Sequence, residues 1–227
     1  FTHCSLILPV AEALVSQHYN YDHRISPKQG LLQLIPGLKT PIQVIPNGFD
    51  VDFWKDLGMK RVKHSFISVA TSTSTPARAR VKGYDLIEEL AASHPDWCFT
   101  LVGDSNYKPQ STNIQVLGKE TAVSLVQRYN THEFYLQLSS SEGFPNALGE
   151  AMACGCVPIG SAVGAIPEII GDTGLLLKRK ELGTLQTLIQ EWMAGKIQLT
   201  SPRVRIERHF TYEHRRKLLL QALSFKE

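Results

Sequence analysis

From residue 65 onward, short apolar runs alternate with stretches whose apolar residues recur every three to four positions. The runs at 65–70 (SFISVA), 97–102 (WCFTLV), 113–117 (NIQVL) and 133–138 (EFYLQL) have strand length, and Gly103-Asp104 ends the second. Shorter strands are predicted at 157–160 and 174–177. Helical spacing occupies 84–93, 121–129, 146–153, 165–170, 182–193 and 212–223. Continuously apolar strands alternating with helices predict an α/β fold, a parallel sheet covered by helices on both faces. Ligands of such sheets gather at the carboxyl ends of the strands, where strand order reverses. Functional residues are therefore expected in the strand-to-helix loops.

The beginning of the chain reads differently. Residues 5–10 (SLILPV) predict a strand and 11–19 a helix, followed by a polar stretch punctuated by Pro27, Gly30, Pro36, Gly37 and Pro41. A lone strand–helix pair with such a connection reads as the end of a preceding domain plus a linker. The predicted organisation is 1–43 as that remnant, 44–205 as one α/β domain and 206–227 as a terminal helix. The chain opens on Phe1 without a signal-peptide pattern and reads as part of something longer.

Composition narrows the field of functions. With 227 residues and 43% hydrophobic content the chain buries a sizeable core, which excludes overall disorder. A net charge of +3 excludes the strongly basic balance of a nucleic-acid partner. No apolar run approaches the roughly 20 residues of a membrane-spanning helix. Cys4, Cys98, Cys154 and Cys156 form no C-x-x-C, and the last three sit in apolar segments. They are read as reduced core thiols, which places the protein in a reducing, cytoplasmic compartment. The histidines lack zinc-ligand spacing, and Asp50-Val-Asp52 follows a Pro-Asn-Gly turn, so no metal is expected. The end of the chain is basic (Arg203, Arg205, Arg208, His209, His214, Arg215, Arg216, Lys217). That pattern suits either a solvated helix face or peripheral contact with the inner, anionic face of a membrane.

The segment SSSEGFPNALGEAMACGC (139–156) leaves a strand, turns at Gly143 and enters a helix near Pro145. It puts Glu142 in a loop at the sheet's carboxyl edge and Glu150 on an apolar helix. A buried carboxylate needs partners, and vicinal hydroxyls of a ribose would supply two donors. A loop charge and a buried ion-pair member fit the same chemistry equally well.

This segment resembles the E-x7-E motif of the family 4 glycosyltransferases. Other segments continue the resemblance in order: VIPNGFD (44–50), FISV (66–69) with Lys82-Gly83, LVGD (101–104), EAMACGCVP (150–158), GAIPE (164–168), TGLL (173–176) and FTYE (210–213). The resemblance implies a Rossmann-like sheet forming the C-terminal, donor-binding half of the two-domain GT-B architecture. It implies that Glu150 holds the ribose of a nucleotide-sugar and that Glu142 faces the donor sugar. Backbone groups of Gly143, Phe144, Pro145 and Asn146 would line the sugar and diphosphate, although Pro145 has no N–H to donate. Lys82 would hold the diphosphate, and Gly103 would belong to the loops around the base. The family's arginine after the first strand is replaced by Ala70-Thr71, and Arg80 or Arg78, on a long loop over 71–82, would substitute for it. The implied activity is metal-independent, retaining sugar transfer from a nucleotide-sugar without a cofactor. The acceptor would be bound by a preceding domain. A non-catalytic nucleotide-sugar-binding or regulatory domain of the same fold is the alternative, and an epimerase or phosphorylase of this architecture is a more distant one.

Overall fold

A computed structural model describes residues 4–24 and 28–224; Phe1 and Pro27 lie outside them. Four short elements come first: α1 (Glu12–Val15), β1 (Gln17–His18), β2 (Lys28–Gln29) and α2 (Leu31–Leu34). The α/β unit follows as β3 (Val62–Val69), α3 (Pro76–Val81), α4 (Tyr84–Ser93), β4 (Cys98–Val102), β5 (Ile114–Leu117), α5 (Ala122–Thr131) and β6 (His132–Gln137). It continues through α6 (Asn146–Ala153), β7 (Val157–Ser161), α7 (Ile166–Ile170), β8 (Leu175–Leu177) and α8 (Leu182–Met193), and closes with α9 (Pro202–His209) and α10 (Tyr212–Ser224).

Strands β3 to β8 form one parallel sheet in the order β5-β4-β3-β6-β7-β8. The chain builds outward from β3 to β5, then returns to lay β6 against the other side of β3. Strand order therefore reverses between β3 and β6, and the crevice of an open α/β sheet lies there. Register explains the density of the core at this point. Phe66 pairs with Phe99 on one side and Phe134 on the other, and its ring stacks on both at 4.9 and 4.8 Å. Trp192 from α8 meets Phe134 edge-on at 5.0 Å and covers this aromatic ladder.

Several expectations are corrected. The loop assigned to 71–82 contains α3, and α9 was absent from the predicted elements. Both begin with proline at the first turn, whose fixed φ suits a helix start. Each buries a single residue, Ala79 or Ile206, so neither carries an apolar period. The strand expected over 5–10 is one parallel bridge, Ile7 to Ile42. The helix expected over 11–19 stops at Val15, because the chain beyond runs extended and buries Tyr19 and Tyr21, two residues apart, while Asn20 stays exposed. Cys98, read as a core thiol, is exposed at the first position of β4, as is Cys4; Cys154 and Cys156 are buried.

The basic end is not a uniformly solvated face. Arg203 donates to the carbonyls of Val51, Trp54 and Ala153, Arg205 to those of Glu168 and Ile169, and Arg215 to those of Ile45 and Pro46. No helix among the described residues is long and apolar enough to cross a membrane.

Candidate functional site at the sheet's reversal point

Glu142 follows β6 and Lys82 follows α3, so the two reach the crevice from opposite sides of the reversal. Their side chains meet: Lys82 Nζ lies 2.5 Å from Glu142 Oε1, with 17% and 12% of the side chains exposed. Gln137, the last residue of β6, donates one amide hydrogen to Glu142 Oε1 at 3.1 Å and the other to Ser139 Oγ at 2.9 Å. Its carbonyl oxygen accepts from the Tyr135 hydroxyl at 3.1 Å. Gln137 is thus fully occupied in orienting the Glu142 carboxylate. The sequence reading missed it; the signal available was one amide inside the run FYLQL (134–138), whose other residues are apolar or aromatic.

Close backbone approach sets the walls of the crevice. A Cβ on Gly83 would lie 2.2 Å from the Leu138 carbonyl oxygen, and one on Gly103 would lie 2.3 Å from that of Ala70. Both have positive φ, +79° and +123°, so only glycine fits either place. Gly83 lets α4 start against the end of β6, directly after Lys82. Gly103 lets the loops after β3 and β4 touch, and Asp104 then fastens them by accepting from the amides of Ser74 and Asn106 at 2.8 and 3.1 Å. Those two amides hold the Asp104 carboxyl below its usual range.

Phe144, Pro145 and Asn146 start α6. The Phe144 ring faces inward, 6.3 Å from Phe49 and 6.0 Å from Phe210, which leaves its backbone at the edge. Pro145 is the cap residue and Asn146 the first helical residue, as the predicted range 146–153 had it. Gly143 accepts from the Ala165 amide through its carbonyl at 2.9 Å. Asn146 Oδ1 accepts from Asn47 Nδ2 at 2.9 Å, and Asn47 Oδ1 accepts from Arg215 at 3.0 Å. Asn47 and Arg215 were also missed, since nothing local links a Pro-Asn-Gly turn to a helix 168 residues away.

Glu150, one turn into α6, lines a cavity of about 270 Å³ with Asn47, Asn146, Trp54, Tyr212 and Arg215. Among the described residues no ion pair or hydrogen bond reaches its carboxylate, and burial alone pushes its pKa up to about 7. The two glutamates therefore divide the alternatives left open by the sequence: Glu142 is an ion-pair member, and Glu150 is a half-buried carboxyl without a partner among the described residues. Tyr135, buried between their influences, has its hydroxyl pKa raised chiefly by burial, with Glu150 and then Glu142 adding to it.

Arg78 and Arg80 do not lie on a loop; they occupy the last turn of α3 and are exposed. Arg80 lines a separate cleft of about 550 Å³ with Asn106, Tyr107 and Lys108. The structure thus brings together Lys82 and Glu142, sets Glu150 along the same helix entrance and leaves Arg78 and Arg80 outside that contact.

Comparison with known proteins identifies the family and the fold. The family model described as glycosyl transferases group 1 matches residues 76–194. N-acetyl-alpha-D-glucosaminyl L-malate synthase of Bacillus anthracis is 38% identical over 89 residues, covering 38% of this chain and 23% of that enzyme. The lipopolysaccharide outer core galactosyltransferase WaaB, in its apo form, superposes with a TM-score of 0.71 at 17% identity, covering 100% of this chain and 63% of that one. Anabaena HepE in complex with UDP and glucose gives 0.67 at 18% identity, covering 97% and 63%. Sucrose-phosphate synthase from Thermosynechococcus elongatus gives 0.68 at 21%, covering 86% and 54%. The chain spans between about half and two thirds of the length of these structures and under a quarter of the Bacillus relative. The structural likenesses establish the GT-B glycosyltransferase fold.

Proposed function

The chain belongs to the group 1 glycosyl transferases, and on that premise we propose that it is the donor half of a two-domain enzyme that transfers a sugar from a nucleotide-sugar. In this reading 1–43 end the preceding domain and 44–205 bind the donor; the segment from 206, predicted as one terminal helix, holds instead the end of α9 and the whole of α10. One observation carries the proposal. Glu150 is a half-buried carboxyl with no protein partner among the described residues, beside a helix entrance whose other acid, Glu142, is already joined to a lysine. A partly desolvated carboxyl gains from a ligand that supplies donors, and the vicinal hydroxyls of a ribose are two donors at the right spacing.

The remaining roles follow from placement. The diphosphate draws the Lys82 ammonium off Glu142 and lies against the start of α6, whose free backbone amides favour anions. Of the entrance residues only Gly143, Phe144 and Asn146 can donate from the backbone. Glu142, still oriented by Gln137, then accepts from hydroxyls of the donor sugar. As the glycosidic bond breaks, negative charge grows on the departing diphosphate, and Lys82 with the helix start stabilises it in place. Transfer in this reading retains configuration and uses no metal, because the positive charge comes from the chain itself. That HepE was crystallised with UDP and glucose supports a nucleotide-sugar donor here. The acceptor would bind the preceding domain, and the cationic groups left on the surface, Arg208, Arg216 and Lys217, would meet an anionic cytoplasmic membrane face.

A second reading, a binding domain without transfer, is favoured by one feature: Ala70-Thr71 stands where a diphosphate arginine is expected, and Arg80 lines a separate cleft. Calorimetric titration of the chain with UDP, GDP and ADP, beside Glu150→Ala, tests the donor site. Saturable binding of one nucleotide, lost in the variant, is expected; equal binding by both proteins would refute the role of Glu150. The chain by itself is expected to transfer little or no sugar, and a Thr71→Arg variant of the full enzyme that gains transfer would separate the two readings.

A further inference from the structure

We propose that Lys180 is a positioning residue that sets the Lys82–Glu142 pair. The proposal rests on reading that pair as donor machinery. Lys180 lies between β8 and α8 with only 7% of its side chain exposed. Its ammonium pairs with Asp85 of α4 at 2.8 Å, donates to the Arg80 carbonyl at 3.1 Å and reaches Ser140 Oγ at 3.4 Å. Arg80 and Ser140 each stand two residues before Lys82 and Glu142. The Ser140 amide also donates to the Val81 carbonyl at 2.7 Å, so the two approaches to the pair are joined directly and then fastened by one ammonium.

The N-terminal segment closes the same knot. The Lys180 amide donates to the Tyr21 carbonyl at 2.9 Å. The Tyr19 hydroxyl donates to the Ser140 carbonyl at 2.8 Å, the Tyr21 hydroxyl to the Leu138 carbonyl at 3.3 Å, and Ser140 Oγ to Asp22 at 3.3 Å. Tyr19, Tyr21 and Asp22 are all buried. A buried ammonium persists only where it is paired and hydrogen-bonded. Here its partners include the root of each catalytic arm, so its removal frees both arms at once. Ordinary ion pairing with Asp85 would need neither of the other two contacts.

The test uses the full chain and the double variant K180M/D85N, which leaves no carboxylate without its lysine. Lysine acylation by N-hydroxysuccinimidyl acetate, read peptide by peptide in the mass spectrometer, reports on Lys82 without any nucleotide. Lys82 is expected to react several-fold faster in the double variant, while exposed Lys63 and Lys108 keep their rates and K180R restores protection. An unchanged Lys82 rate in a variant that still melts cooperatively would overturn the proposal. UDP titration supplies the second arm. The double variant is expected to weaken UDP about tenfold in the wild-type background and not at all beside Lys82→Ala, whereas equal weakening in both backgrounds would show that Lys180 acts elsewhere. If the wild-type chain does not bind UDP, the donor reading for that nucleotide falls, and acylation alone decides on Lys180.

Discussion

Glu150 is half-buried and has no protein partner among the described residues. Its pKa stands near 7 against an ordinary 4.5, so the fold favours the neutral acid. The stability contributed by that preference is complete below about pH 4.5 and is lost as pH rises toward 7. A shift of this size corresponds to roughly 3 kcal/mol, and Glu150→Gln, which stays neutral, is expected to stabilise the fold at pH 8 by about 1–3 kcal/mol. Urea unfolding at pH 5 and pH 8 checks this: the gain should appear at pH 8 and shrink at pH 5, while nucleotide binding is lost at both. Ribose hydroxyls donate to the ionised form, so binding below pH 7 is expected to expel a proton. Calorimetry in two buffers of different ionisation heat measures it directly, and a heat independent of buffer at pH 6 contradicts the role. Tyr135 and Gln137, unremarkable in sequence, acquire their meaning only from standing beside these carboxyls.

The elements that hold the site are short and depend on backbone contact. Helix α4 begins at Gly83 because nothing larger fits against Leu138, and that turn aims the preceding Lys82 at Glu142. Gly83→Ala must find room for a Cβ 2.2 Å from a backbone oxygen at φ +79°. A loss of about 2–4 kcal/mol is expected from the combined clash and strain, with a lowered denaturation midpoint as the measurement. Unchanged stability would mean that the α4 start is not fixed in this way. Helix α6 is seated by a similar contact: a Cβ on Gly149 would enter the Phe49 ring at 2.2 Å. Phe49 therefore fixes the helix beside Glu150 against the linker. The sequence located α6 to the residue, because its apolar positions are dense. It missed α3, because one buried alanine sets no period, and Arg78 and Arg80 were misplaced as a consequence.

At the scale of the molecule, the two ends of the chain converge on the sheet's functional edge. The segment through Tyr19 to Asp22 is packed on the loop before Glu142, and α9 and α10 return to the linker at 45–54. Arg203 is the main fastener there, with one guanidinium serving three carbonyls. Arg203→Met should leave those carbonyls short of donors and cost about 2–4 kcal/mol, detected as a fall in melting temperature. If the basic end were simply solvated, the change would be close to neutral.

The linear sequence carried the parallel α/β class, the positions of most long elements and the glutamates and lysine of the candidate site. Apolar periodicity and a spaced motif are local properties, and local properties survive in a linear reading. Tertiary structure alone decided that Lys82 faces Glu142, that Glu150 has no partner and that Lys180 ties the approaches to both. Those facts depend on β6 returning beside β3 and on glycines that let separate backbones touch. The arginines at the end were legible as charge. Their use as clamps on carbonyls about 40 to 170 residues away was not, because a carbonyl is the same at every position until the fold brings one within reach.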